Sequence, residues 1–69
     1  MTILAYRRRL GWSQRELARR TGLDYNTVRK AESGEPVSGR TAVAIAEAFA
    51  QALGERVLVE DIEGLNVSL

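Results

Sequence analysis

Two helix-start signals, eleven residues apart, constrain the fold of this chain more than any other feature. Ser13 is followed three residues later by a glutamate, which is the spacing of a capping box, and Asp24 is a second favourable N-cap. Between them lies Gly22, a residue type that ends helices because it adopts a left-handed backbone without strain. The pattern predicts two short helices, over about 14–21 and 25–32, joined by a tight turn.

Each of these two predicted helices has one apolar and one polar face. Leu17 and Ala18 lie on the inner face of the first helix, and Val28 and Ala31 recur at helical spacing on the second. Two short helices joined by a tight turn form a helix-turn-helix, which presents its second helix to the major groove of DNA. We therefore interpret residues 13–34 as a helix-turn-helix whose second helix is the recognition helix.

Two further helices flank this motif. One is predicted over about 3–10 and ends at Gly11, and a longer one over about 39–53 begins after Ser38. Alanine occupies every even position from 42 to 52, and this period of two resembles that of a strand. A helix is nevertheless favoured, because alanine is the best helix former and the run is too long for a typical strand.

The final residues, 55–69, leave two alternatives open. Their apolar residues recur at the spacing of a short fifth helix that closes at Gly64. The segments 57–59 and 65–69 fit short strands equally well. The predicted fold is therefore all-α and compact, with four to five helices. It has a helix-turn-helix domain over 1–54 and a C-terminal extension that is a short helix or strand.

Residues 3–53 resemble the phage-repressor/Cro (XRE-type) helix-turn-helix family, which has the lambda-repressor-like fold. The matching residues are Arg7, Leu10, Gly11, Ser13, Gln14, Leu17, Ala18, Gly22, Val28, Glu32 and Gly34. Their spacing, Q-x-x-L-A-x-x-x-G-x-x-x-x-x-V-x-x-x-E-x-G, is more specific than any single residue. The resemblance implies sequence-specific binding of double-stranded DNA by a small transcriptional regulator. It further implies a homodimer on an inverted-repeat operator, with the dimer contact in the C-terminal extension.

Four outward residues of the recognition helix are the candidates for base contact: Tyr25, Asn26, Arg29 and Lys30. The amide of Asn26 suits the N6/N7 edge of adenine, and Arg29 or Lys30 suits the O6/N7 edge of guanine. Tyr25 is placed to touch a thymine methyl group or to donate to phosphate, and phosphate is also the alternative partner of Arg29. A solvated helix face is the alternative interpretation of all four.

Four other residues are candidates for phosphate contact: Gln14, Arg15, Thr27 and Arg40. The resemblance implies a phosphate bond from Gln14, and the free N–H groups of a helix start also attract phosphate. Arg15 follows at the same helix start, and Thr27 lies on the flank of the recognition helix. Arg40 opens the fourth helix, where related proteins often contact the DNA backbone. Glu35 departs from the family pattern, because a basic residue is more usual nearby.

The resemblance also implies a structural ion pair between Arg7 and Glu32, which ties the first helix to the recognition helix. If the pair is buried, loss of one partner costs about 3–5 kcal/mol. If it is exposed, the cost is roughly 0–1 kcal/mol.

Composition and charge narrow the classes of function. The chain has no cysteine and no histidine, which excludes disulfides, thiolate and imidazole metal sites and the usual general base. No nucleophile–base pair or phosphate loop appears, so we expect no enzyme activity or cofactor. Sixty-nine residues leave no room for a separate effector domain, so we expect no small-molecule effector within this chain. Residues 1–34 carry a net charge of +5 and residues 35–69 one of −4. This asymmetry suits a domain with one basic face turned toward an anion.

A location in the cytoplasm is expected, because neither a signal peptide nor a membrane-length apolar run is present. The competing hypothesis for function is a protein-interaction module, antitoxin-like or an adaptor, whose acidic and apolar tail docks a partner. Salt distinguishes the two hypotheses, since DNA binding falls steeply with salt and apolar docking does not.

Overall fold

Four α-helices form the framework of the computed structural model, which describes residues 1–68. In chain order they are α1 (Ile3–Leu10), α2 (Gln14–Thr21), α3 (Tyr25–Glu32) and α4 (Gly39–Leu53), and a single 3-10 turn, Val59–Asp61, follows. No strand is present within residues 1–68, so the all-α prediction is confirmed. None of the helices in this part of the chain combines the length and hydrophobicity that crossing a bilayer requires.

The helix bounds follow from polar caps that the sequence supplies. The four N-caps are Thr2, Ser13, Asp24 and Ser38. Each cap oxygen accepts a backbone N–H of the first turn at 3.0–3.2 Å, which satisfies a donor that the helix itself leaves free. Between α2 and α3, Gly22 adopts a left-handed backbone with φ of +72°, so the chain reverses within a few residues.

An aromatic cluster around Phe49 of α4 occupies the centre of the core. The Phe49 ring is fully buried, stacks on Tyr6 of α1 at a centroid distance of 4.8 Å, and lies 6.0 Å from Trp12. Leu17 of α2 and Val28 of α3 are buried completely beside it. Because α4 packs on α1 and α2, it fixes how the helix-turn-helix is held.

The extension takes a conformation between the two predicted alternatives. The fifth helix is reduced to the three-residue turn, in which the Asp61 carboxylate accepts the N–H of Leu58 at 2.9 Å. Strand pairing is reduced to two isolated parallel bridges, Thr2 with Glu63 and Val37 with Val67. The predicted strand at the end of the chain includes Leu69, which lies outside the described residues.

This segment packs on its own domain. Val57 and Ile62 are buried at 7% and 3% exposure and belong to the same core as Phe49. The backbone of Val37 accepts an N–H from Ser68 at 2.7 Å and donates its own to Asn66 at 2.9 Å. The extension therefore holds the loop that follows α3 as well as the start of α1.

Replacement of Ile62 by alanine is expected to lower the free energy of unfolding by about 2–5 kcal/mol, because it leaves a cavity in a shared core. Leu58→Ala, at a side chain that is 37% exposed, is the matched control and should cost far less. Urea denaturation followed by fluorescence of the single tryptophan, Trp12, measures both. Equal small losses would show that the extension lies outside the cooperative unit.

Candidate nucleic-acid interface

Helix α3 buries one side and exposes the other. Val28 and Ala31 are buried against α2 and the rest of the core. Asn26, Arg29 and Lys30 are exposed on the opposite side. This division places amide and cationic groups together on a surface where no core contact limits their side chains.

An open depression of about 580 Å³ joins the start of α2 to the outer face of α3. The residues that line it are Gln14, Asn26, Arg29, Lys30, Glu32, Ser33 and Glu35. Four of the predicted contact residues therefore meet on one surface. The predicted phosphate contacts Thr27 and Arg40 are half-buried and exposed respectively, and neither lines the depression.

Tyr25 connects α2 to α3 at the edge of this depression. Its hydroxyl donates to the Gln14 side-chain oxygen at 3.5 Å. The Arg15 guanidinium lies 4.5 Å from the Tyr25 ring centroid, and that of Arg29 lies 5.9 Å from it. Cations over an aromatic face are attracted by the ring quadrupole, so Tyr25 holds two positive groups near each other.

Arg7 and Glu32 form a pair of parallel hydrogen bonds beneath α3. Arg7 Nε and Nη2 each donate to a Glu32 carboxylate oxygen at 2.8 Å, while Nη1 donates to the Trp12 carbonyl at 3.1 Å. The side chains are only 13% and 18% exposed. The Glu32 hydrogen bonds raise the pKa of Arg7 above its ordinary value, so the guanidinium stays charged. Arg7 thus joins α1, the α1–α2 turn and the end of α3.

Glu16 neutralises part of the positive charge of α2. Its carboxylate accepts hydrogen bonds from Arg19 and Arg20, which lower the pKa of Glu16 to about 2. The capping box suggested by the Ser13–Glu16 spacing is therefore only half formed, because the Glu16 side chain faces the two arginines. Arg20 also lies 4.9 Å from the centroid of a Trp12 ring and is held against the protein.

Two residues of the depression, Ser33 and Glu35, were not among the candidates from sequence. Glu35 donates its backbone N–H to the Lys30 carbonyl at 3.0 Å, so the chain folds back on the end of α3. Gly34, with φ of +88°, makes this reversal possible, and this glycine is the feature of the sequence from which the turn could have been predicted. Within residues 1–68, no group of acidic side chains is arranged to hold a metal ion.

Comparison with known proteins gives one match. A protein-family model described as helix-turn-helix matches residues 3–55, which is more than three quarters of the chain. The matched segment contains all four helices and every residue of the depression. No match was found among curated proteins or among solved structures.

Replacement of Glu32 by glutamine is expected to lower the free energy of unfolding by about 3 kcal/mol, because it leaves the largely buried Arg7 charge without its partner. The matched control is Glu55→Gln, in the exposed pair of Arg9 and Glu55, which should cost roughly 0–1 kcal/mol. Chemical denaturation of both variants measures the difference. Losses of similar size would contradict a structural role for the buried pair.

Proposed function

Because the chain belongs to the XRE-type helix-turn-helix family of DNA-binding domains, we propose that it is a small transcriptional regulator that binds double-stranded DNA in a sequence-specific manner. The recognition helix α3 enters the major groove. The observation that carries the proposal is the exposed depression in which Gln14, Asn26, Arg29 and Lys30 meet. It combines a hydrogen-bonding amide and cations with the start of a helix.

Three side chains of α3 supply the sequence preference in this proposal. Asn26 is the second residue of α3, near the helix N-terminus, where recognition helices contact base edges. Its amide bonds the N6/N7 edge of adenine, and Arg29 and Lys30 donate to the O6/N7 edge of guanine. Tyr25 contributes the edge of its ring to a thymine methyl group, while its face carries Arg15.

Phosphate contacts supply most of the affinity. Gln14 and Arg15 lie at the start of α2, where free backbone N–H groups and the helix dipole favour an anion. Thr27 on the flank of α3 and Arg40 at the start of α4 contact the DNA backbone outside the depression. These contacts position the domain on the duplex but carry no sequence information themselves.

A homodimer on an inverted repeat is the assembly that we propose. The domain measures 28 Å along its longest axis, whereas half-sites one helical turn apart are separated by about 34 Å. One copy therefore covers a single half-site, and a second copy is needed for the other. The C-terminal extension, with its exposed Leu58, contributes to the contact between copies.

Docking of a protein partner through the extension is the weaker alternative. Its apolar residues Val57 and Ile62 are already buried in the chain's own core. They are not available to a partner unless the domain opens. The depression on α2 and α3, in contrast, is open and polar.

Asn26→Ala is expected to cost about 1–3 kcal/mol of binding free energy at one base position of the operator and to relax the preference there. Arg15→Ala should weaken binding to all duplexes alike and should reduce the salt dependence, because it removes a phosphate contact. Fluorescence anisotropy with the operator and its single-base variants measures both. Equal losses on every duplex for the two variants would remove the base-reading role of Asn26.

Selection of bound duplexes from a random DNA library at near-physiological salt tests the function as a whole. We expect an enriched inverted repeat with half-sites one helical turn apart, and a dimer by light scattering in the same buffer. Absence of any enriched sequence, with the protein folded, would reject sequence-specific binding. An enriched single half-site bound by a monomer would reject the dimer alone.

A further inference from the structure

Glu35 faces the same depression as the residues proposed to read bases, and we propose that it limits the affinity of the domain for DNA. The negative charge of the carboxylate repels the DNA phosphates near the end of α3. One copy of the domain therefore binds any duplex more weakly than it would without this charge. This inference rests on the proposed function and assigns to the same site a residue that lowers the affinity for DNA.

The position of Glu35 is fixed by the turn that follows α3. Its backbone N–H is bonded to the Lys30 carbonyl, and the Ser33 hydroxyl lies 3.2 Å from its carboxylate. The side chain is exposed and lines the depression together with Asn26, Arg29 and Lys30. A duplex that contacts those three residues therefore approaches the Glu35 carboxylate as well.

The other acidic residues of the helix-turn-helix region are already engaged. Residues 13–38 contain four carboxylates. Glu16 is paired with Arg19 and Arg20, and Glu32 is paired with Arg7. The Asp24 carboxylate accepts a backbone N–H at the start of α3 as its N-cap. Within the described residues, no cation lies within ion-pair distance of the Glu35 carboxylate. Of the two carboxylates that line the depression, Glu32 is paired with Arg7, and Glu35 is the one without a cation at ion-pair distance among the described residues.

Repulsion from Glu35 acts on the part of binding that is common to all sequences. The phosphate backbone carries the same charge in every duplex, and it supplies essentially all of non-specific affinity. Two unit charges at close range in water interact by an amount equivalent to about fivefold in affinity. Salt screens this interaction, because the Debye length falls from about 10 Å at 0.1 M to 3 Å at 1 M.

The test is the affinity of Glu35→Gln for two duplexes, one selected from the random library and one unrelated. Glutamine keeps the size of the side chain and an acceptor for Ser33 but removes the charge. The expected result is binding about threefold to tenfold tighter than wild type on both duplexes at 0.1 M salt, with the gain shrinking as salt rises. Glu35→Asp, which keeps the charge, should bind like the wild type.

The matched control is Glu47→Gln, which makes the same change of net charge at an exposed residue of α4 outside the depression. It should bind like the wild type.

Equal effects of Glu35→Gln and Glu47→Gln would overturn the inference while the proposed function stands. So would a loss of affinity confined to the selected duplex, because Glu35 would then make a sequence-specific contact with it. Failure of the wild type to bind either duplex would overturn the proposed function and this inference with it.

Discussion

The hydrogen-bonded pair of Arg7 and Glu32 is the interaction on which the presentation of α3 depends. The helices of this domain are short, eight residues each in α1, α2 and α3, and helices of that length are not stable by themselves in water. Their orientation comes from contacts between them. Arg7 bonds both Glu32 at the end of α3 and the Trp12 carbonyl, and the Trp12 ring in turn lies next to the buried Phe49 ring. A largely buried charge pair also tolerates few alternative geometries, so it holds α3 in one orientation.

Electrostatics are unevenly distributed over this framework. On α2, Glu16 draws Arg19 and Arg20 onto the protein surface, whereas Arg15 lies over Tyr25 at the edge of the depression. The positive charge of the first half of the chain is therefore divided into cations that pair with the protein's own carboxylates and cations, such as Arg15, that are exposed at the edge of the depression. A net charge counted from the sequence does not separate these two groups of cations, because the pairing depends on which side chains come into contact in the folded domain.

Local signals predicted the helices well, since caps and glycine turns act over three or four residues. Ser13, Gly22 and Asp24 sufficed to place α2 and α3. The extension was not predictable in the same way, because Val57 and Ile62 are held by contacts with helices far away in sequence. The candidate site divides similarly. Outward residues of α3 followed from helical periodicity, but the approach of Arg15 to Tyr25 and the return of Glu35 to the depression depend on how α2, α3 and the turn after them pack.

The two isolated bridges also affect the order in which the domain is completed during synthesis. They join Thr2 to Glu63 and Val37 to Val67, residues that are 61 and 30 positions apart. A nascent chain with α1 to α4 outside the ribosome still lacks Ile62 in its core and the main-chain bonds that hold the loop after α3. Domains fold as units as they emerge, and contacts of long sequence separation form slowly. The loop that carries Glu35 is therefore fixed in its final shape only after residues 62–68 have left the exit tunnel.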